Sequence, residues 1–189
     1  MAGWSAFLSR RRLVGSLVAL TLLAAACTSP AAQGTSTPGP TSARSTDIDL
    51  VTENGALFAD HPERLERVAV ERVVDGDTLI VDSHGARVRV RVFGIAAPET
   101  TEPCGPEATE ALRRLAGSQV LLLGDQRLED EYGRSLRYIF TPDGASIDAA
   151  LVTAGAVEAW HDDGAYRNQL RALESAARAA KRGCLWQTR

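Results

Sequence analysis

The chain has 189 residues, with 21 basic and 24 acidic side chains, 44% hydrophobic residues and three cysteines, enough for one medium domain with attachments. The charge is unevenly placed: residues 1–27 carry Arg10, Arg11 and Arg12 and no acid, so the remainder holds 18 basic against 24 acidic residues, a net of −6. That balance excludes strong sequence-independent binding along a phosphate backbone, which scales with the cations that displace counterions. Any nucleic-acid role must rest on a few placed arginines.

In chain order, the three arginines precede an apolar stretch, 13–26, of 14 residues, which suits a signal-peptide core and is short for a membrane-spanning helix. It ends in Ala24-Ala25-Ala26-Cys27, which resembles the lipobox of bacterial lipoproteins, where the cysteine is acylated. A plain cleaved signal with an incidental Cys27 is the alternative. Ser9-Arg10-Arg11-Arg12-Leu13-Val14 also resembles a twin-arginine signal, so the export route stays open. Residues 28–63 are expected to be a tether. Its first part, 28–46, is built of Ser, Thr, Pro, Gly and Ala apart from Gln33 and its one charge, Arg44, and cannot bury enough surface to offset its ordering entropy. Residues 47–62 read as irregular.

The folded domain is expected over 64–189. Val68, Val70, Val73 and Val74 predict a strand running into Asp75-Gly76-Asp77-Thr78. A second strand is predicted over 79–82, a hairpin turn at Ser83-His84-Gly85, and a third strand over 86–95. There Val88, Val90 and Val92 alternate with Arg87, Arg89 and Arg91, which puts three arginines on one face. Gly105-Pro106-Glu107 opens a helix that Gly117 closes, with proline in the first turn and an acid suited to the helix dipole. Strands are predicted over 120–123 and 136–140, a short helix over 147–154, and a strand-like run over 156–160. The last helix, 166–182, aligns Leu170, Leu173, Ala177 and Ala180, and Gly183 ends it. Five short strands mixed with three helices predict an α+β fold, a small β-barrel with helices packed around it.

Three clusters hold more functional side chains than folding needs: Asp75-Gly76-Asp77-Thr78, the segment from Arg91 through Gly94-Ile95-Ala96-Ala97-Pro98-Glu99-Thr100, and Glu131-Tyr132-Gly133-Arg134. Their order, with Gly105-Pro106-Glu107-Ala108 and the helix from Ala149 to Gly155 between and after them, resembles the thermonuclease family, the staphylococcal nuclease-like domain, over 68–186. The resemblance implies a five-stranded OB-fold barrel and a calcium-dependent phosphodiesterase acting on single-stranded or frayed DNA and RNA as a monomer. It implies Arg91 and Arg134 as phosphate-binding arginines, Glu99 as the carboxylate that positions or deprotonates the attacking water, and Tyr132 as a lining of the phosphate pocket. Asp77 and the Ala97 carbonyl would be Ca²⁺ ligands, hard oxygens for a hard cation.

One departure stands out. The family usually reads Gly-Ile-Asp-Ala-Pro-Glu where this chain has Ala96, so a second calcium-binding carboxylate is missing and Ca²⁺ should bind more weakly. After residue 159 come Trp160, His161, Asp162 and Asp163 where the resemblance has tyrosines that face the nucleotide; Trp160 or His161 could stack on a base, Trp160 reads at least as well as a core residue, and the two acids should repel phosphate. His61 and His84 carry no metal-binding spacing.

If Cys27 is lipidated, Cys104 and Cys184 remain, an even pair in an exported chain, which reads as a disulfide or as two unpaired thiols. The leading expectation is an exported nuclease held to the membrane by a lipid on Cys27, or secreted. A degenerate OB-fold binding module, favoured by Ala96 and the acidic balance, and an envelope adaptor are the competing readings.

Overall fold

The computed structural model describes residues 47–53 and 56–187; the export segment, Cys27 and residues 28–46 lie outside them. Five strands close a barrel: β3 (Glu66–Asp75), β4 (Thr78–Ser83), β5 (Ala86–Val92), β7 (Gln119–Leu123) and β8 (Ser135–Phe140), neighbouring in the order β3-β4-β5-β8-β7. All pairs are antiparallel except β5 with β8. Register shifts between Val70 and Arg72 and between Val73 and Asp75 bend β3. Its first half can thereby pair with β7 and its second with β4, as closing a small barrel requires. The fold is the α+β barrel with packed helices that the strand and helix pattern predicts, and the OB-type barrel that the resemblance implies. Leu79, Val81, Val90, Val92, Val120 and Ile139, which the strand registers place on one face of the sheet, are buried in it.

Helix α1 (Gly105–Ala116) packs on β3, α2 (Ile147–Thr153) on β8 and α1, and α3 (Arg167–Ala179) on α2. Local chemistry starts and stops them: Pro106 and Glu107 lie in the first turn of α1, Gly117 ends it at φ +55°, and the Ser146 hydroxyl caps α2 by accepting the Ala149 N–H. Phe93, Tyr138 and Tyr166 pack in series, the first pair edge-on and the second tilted, with centroids 5.3 and 4.6 Å apart.

The structure differs from the sequence expectation at three places. Residues 47–63 are not irregular: β1 (Leu50–Glu53) and β2 (Ala56–Ala59) form an antiparallel pair, and a 3₁₀ turn follows over Pro62–Arg64. Ile48 is 1% exposed, Tyr166 donates its hydroxyl to the Ile48 carbonyl, and β2 bonds to Gly144 and Ser146. Residues 47–53 and 56–63 are therefore part of the packed domain rather than of a tether. The run 86–95 is not one strand. β5 stops at Val92, the chain turns at Phe93-Gly94, and β6 (Ile95–Ala96) pairs instead with β9 (Glu158–Ala159). A fourth helix, α4 (Gly183–Gln187), follows α3. Gly183 has φ +66°, and a Cβ there would lie 2.1 Å from the Ala154 carbonyl oxygen. Glycine thus lets the chain press against the end of α2 and turn into α4.

Asp148 is buried in the first turn of α2 and accepts the N–H groups of Ile139 (3.0 Å) and Gly94 (3.4 Å). Burial pushes its carboxyl up to about 7, against those hydrogen bonds. A raised folded-state pKa favours the protonated form, so its contribution to stability is full below the unfolded value and is lost as pH rises through about 7. Urea midpoints measured between about pH 4 and pH 8 should fall across that window, and the fall should be smaller in Asp148→Asn. Parallel curves for the two proteins would remove Asp148 as the source.

Candidate active site

The turn between β3 and β4 is tight. Asp75 Oδ1 accepts the Asp77 N–H at 3.1 Å, and a Cβ on Gly76 would lie 2.6 Å from Ala97 Cβ and 2.7 Å from Ala108 Cβ. The turn is therefore seated against the loop after β6 and against α1. Asp77 is 9% exposed. Its Oδ1 accepts the Thr78 hydroxyl at 3.0 Å, and its Oδ2 accepts the Ala97 N–H at 3.0 Å and lies 3.2 Å from the Arg91 guanidinium. Burial pushes the Asp77 carboxyl above its ordinary value; Arg91 and the Ala97 N–H oppose that push, and Asp75 adds to it.

Arg91, near the end of β5, donates to the Val92 carbonyl and, at 2.8 Å, to the Ile95 carbonyl. It thereby clamps the Phe93-Gly94 turn while facing Asp77. Burial pulls its guanidinium below the ordinary value, Asp77 opposes that, and the like charge of Arg134 adds to it; the group stays a cation.

Arg134 arrives on the loop between β7 and β8. Asp130 builds that loop, accepting the N–H groups of Tyr132 (3.0 Å) and Arg134 (2.9 Å) and the Arg134 Nε–H at 2.6 Å. Burial raises the Asp130 carboxyl, but the Arg134 backbone and guanidinium bonds overcome it and hold the group below the usual range. The Arg134 guanidinium lies 5.5 Å from the centroid of the Tyr132 ring, which is 76% exposed.

Arg91, Arg134 and Tyr132 line one open pocket of about 400 Å³ together with Phe93, Arg127, Trp160 and the acids Asp130 and Glu131. Asp77 joins it through Arg91, and Ala97 joins through its N–H to Asp77. Glu99 is not among the residues lining the pocket; it is exposed two residues beyond Ala97. Its backbone is fixed, since its N–H donates to Glu102 at 3.1 Å and a Cβ on Gly105 would lie 1.9 Å from its carbonyl oxygen.

Two features escaped the sequence reading. Asp130, the organiser of the arginine loop, sits in the acidic run Glu129-Asp130-Glu131, where nothing local separates it from its neighbours. Asp163 does not stand as a bare charge facing phosphate. It takes two bonds from Arg127, at 2.9 and 3.0 Å, and the Trp160 indole N–H at 2.7 Å, and those bonds hold its carboxyl below the ordinary value. Arg127 in turn covers the Phe93 ring at 5.0 Å. Trp160 is thus a half-buried wall of the pocket, fixed by its own nitrogen. His161 pairs with Glu174 at 3.0 Å.

Among the described residues no group of three or more His, Cys, Asp or Glu is placed to hold a metal ion. The turn nevertheless suits a hard cation. Asp77 is a buried carboxylate whose charge is raised in energy by burial and by Asp75 and only partly offset by Arg91, so added positive charge there is stabilising. Ala96 presents a methyl group where an oxygen would complete the set. The residues present fit one weakly held, largely hydrated ion, because affinity in such sites follows the number of charged ligands.

Cys104 and Cys184 lie together as a disulfide, Cα atoms 5.6 Å apart, linking the start of α1 to α4.

Comparison with known proteins agrees with this geometry. The family model described as "Staphylococcal nuclease homologue" matches residues 89–188. An "Uncharacterized endonuclease" of Escherichia coli is 38% identical over 121 residues, covering 62% of this chain and 74% of that protein. The "Thermonuclease" of Staphylococcus hyicus is 40% identical over 104 residues, 49% of this chain and 60% of that protein. "Endonuclease YncB" of Bacillus subtilis is 30% identical over 140 residues, 67% of this chain and 65% of that protein. With its barrel, its arginine pocket and a family match spanning more than half its length, this chain belongs to the staphylococcal nuclease homologue family.

Proposed function

We propose that the chain is a calcium-dependent nuclease that hydrolyses phosphodiester bonds of single-stranded or frayed DNA and RNA outside the cytoplasm. Its relatives named as endonucleases and thermonucleases support the hydrolase class. The observation that carries the reading is the convergence of Arg91 and Arg134 on one pocket. Two planar guanidinium groups bind the non-bridging oxygens of one phosphate and stabilise the charge that grows on them. Glu99, exposed at the neighbouring loop, orients a water and accepts its proton as the water oxygen attacks phosphorus. The bond from phosphorus to the opposite sugar oxygen breaks, and that oxygen takes up a proton from solvent. Tyr132, beside Arg134, lines the approach of the nucleotide.

Asp77 and the Ala97 carbonyl would hold the ion, which when bound supplies positive charge against a phosphoryl oxygen. In the same reading the protein is a monomer, Cys104 and Cys184 are bonded, and a lipid on Cys27 anchors it at the outer face of the membrane. Arg10 to Arg12, the apolar residues 13–26 and the small residues before Cys27 support that placement.

Cleavage of single-stranded DNA by the parent should require millimolar Ca²⁺ and stop with chelator. In Ala96→Asp the half-saturating Ca²⁺ should fall by roughly tenfold or more as one charged ligand returns. Activity only in Ala96→Asp, at every Ca²⁺ level, would make the chain a binding module that does not cut. Chelator-insensitive cleavage would overturn the calcium assignment.

A further inference from the structure

A second pocket, of about 360 Å³, shares with the first the loop that carries Arg134. Tyr132 and Arg134 line the first pocket, whereas the alternate residues Gly133 and Ser135 line the second. Strand β5 links the two in the same way, because Arg87, Arg89 and Arg91 are on one face of it: Arg91 lines the first pocket, Arg87 and Arg89 the second. Positions two apart on a strand are separated by about 6.6–6.8 Å, close to the separation of successive phosphates along an extended nucleic-acid strand.

The charged residues of the second pocket are Arg87, Arg89, Arg137, Glu66 and Glu129. Most of the arginines are already held. Arg87 pairs with Glu71 at 2.6 Å, and Arg137 donates to the carbonyls of Leu128 (3.0 Å) and Leu136 (2.7 Å). The Arg89 side chain is exposed and makes no hydrogen bond or ion pair with any described residue. A guanidinium carries five N–H donors in a fixed fork that matches phosphate. Counting Glu71 on Arg87, three arginines meet three glutamates, so what this pocket offers a phosphodiester is the uncommitted fork of Arg89 rather than a net charge.

We propose that Arg89, flanked by Arg87 and Arg137, is a second phosphate-binding position that holds the phosphodiester next to the scissile one, with the substrate strand running along β5. This rests on the nuclease reading, and it gives the acidic domain a way to bind nucleic acid through a short row of placed arginines. The position favours a chain of several nucleotides over a substrate with a single phosphodiester.

The test uses the full chain and its Arg89→Ala, Arg89→Lys and Arg114→Ala variants. Arg114, exposed on α1, lies outside both pockets and removes the same charge. Substrates are a fluorescein-labelled single-stranded DNA of roughly a dozen nucleotides, within the reach usual for such barrels, and a dinucleoside monophosphate. Arg89→Ala should raise KM for the longer substrate several-fold with kcat held, and the rise should be confined to that substrate. The slope of log affinity against log salt, read from anisotropy of the labelled strand without Ca²⁺, should shrink by about 0.7, one phosphate contact on a single strand. Arg89→Lys should recover part of both, and Arg114→Ala should change neither. An unchanged KM and salt slope in Arg89→Ala, or an equal rise on both substrates, would overturn the proposal. If the parent cleaves neither substrate, the nuclease reading fails by itself. The anisotropy slope then still decides Arg89, a loss of about 0.7 supporting it and an unchanged slope overturning it.

Discussion

Arg134→Ala should lower kcat on single-stranded DNA by roughly 10²- to 10³-fold, the usual cost of removing one donor aimed at charge that develops in the transition state. The fold should survive, because the side chain sits on a loop and, among the described residues, its hydrogen bond goes to Asp130 on that same loop, while the backbone bonds of Tyr132 and Arg134 to Asp130 remain. The thermal midpoint should therefore stay near that of the parent while single-turnover rates collapse. Arg134→Lys should recover little: an ammonium restores the charge but not the fork that spans two phosphate oxygens. Arg91→Ala should cost as much in kcat and lower the midpoint as well. Arg91 also ties the Val92 and Ile95 carbonyls together and neutralises a buried Asp77, so removal leaves that carboxylate unpaired. If Arg134→Ala cleaves within a fewfold of the parent, Arg134 does not meet the phosphate in the transition state.

The different behaviour expected of these two arginines mirrors how much of the site could be read in the chain. Asp75-Gly76-Asp77-Thr78, the alternation ending at Arg91, and Tyr132-Gly133-Arg134 are local patterns whose chemistry shows in a few consecutive residues. The barrel strands were legible for the same reason, since Val88, Val90 and Val92 alternate with arginine and Val120 to Leu123 is uniformly apolar. What was hidden depends on partners far along the chain. Arg127 and Asp163 are 36 residues apart, and no local period joins them. The hairpin of β1 and β2 is short, and it owes its order to Tyr166 and to the Gly144–Ser146 turn rather than to its own propensity. The break after Val92 is likewise set from outside. A Cβ on Gly94 would lie 2.4 Å from a Leu170 methyl and 3.1 Å from Asp148, so α3 and α2 press on the turn and divert the next residues to β9. Glu99 is a mixed case: its motif was plain, but its exposed place outside the pocket lining followed only from the geometry of the loop.

Loss of the Cys104–Cys184 bond should destabilise the domain by about 4–5 kcal/mol if the cross-link acts by restricting the unfolded chain, because it spans a sequence separation of 80 residues. For a domain of this size that corresponds to a fall in thermal midpoint of roughly 10–20 °C. The surroundings argue for the upper part of that range. Cys104 packs against a small cluster of Ala177, Leu185 and Trp186, set apart from the barrel core, and α4 is a single short helix. Without the bond α4 would be held by buried Leu185 and Trp186, the overlying Arg178 guanidinium, the Leu185 N–H donated to the Gly155 carbonyl and the contact at Gly183. The loss should also reach the site. Cys104 precedes Gly105, whose close approach fixes the Glu99 carbonyl, so loosening the start of α1 frees the loop that carries the proposed base. Cys104→Ser, Cys184→Ser and the double variant should all show the same drop in midpoint, since either change breaks the one bond and the effects are not additive. Each should also lower kcat at temperatures where the fold is intact, with KM for the oligonucleotide little changed because Arg91 and Arg134 are held by other bonds. A midpoint insensitive to reductant, with both thiols open to alkylation in the untreated protein, would show two free cysteines and remove this link between α4 and the Glu99 loop.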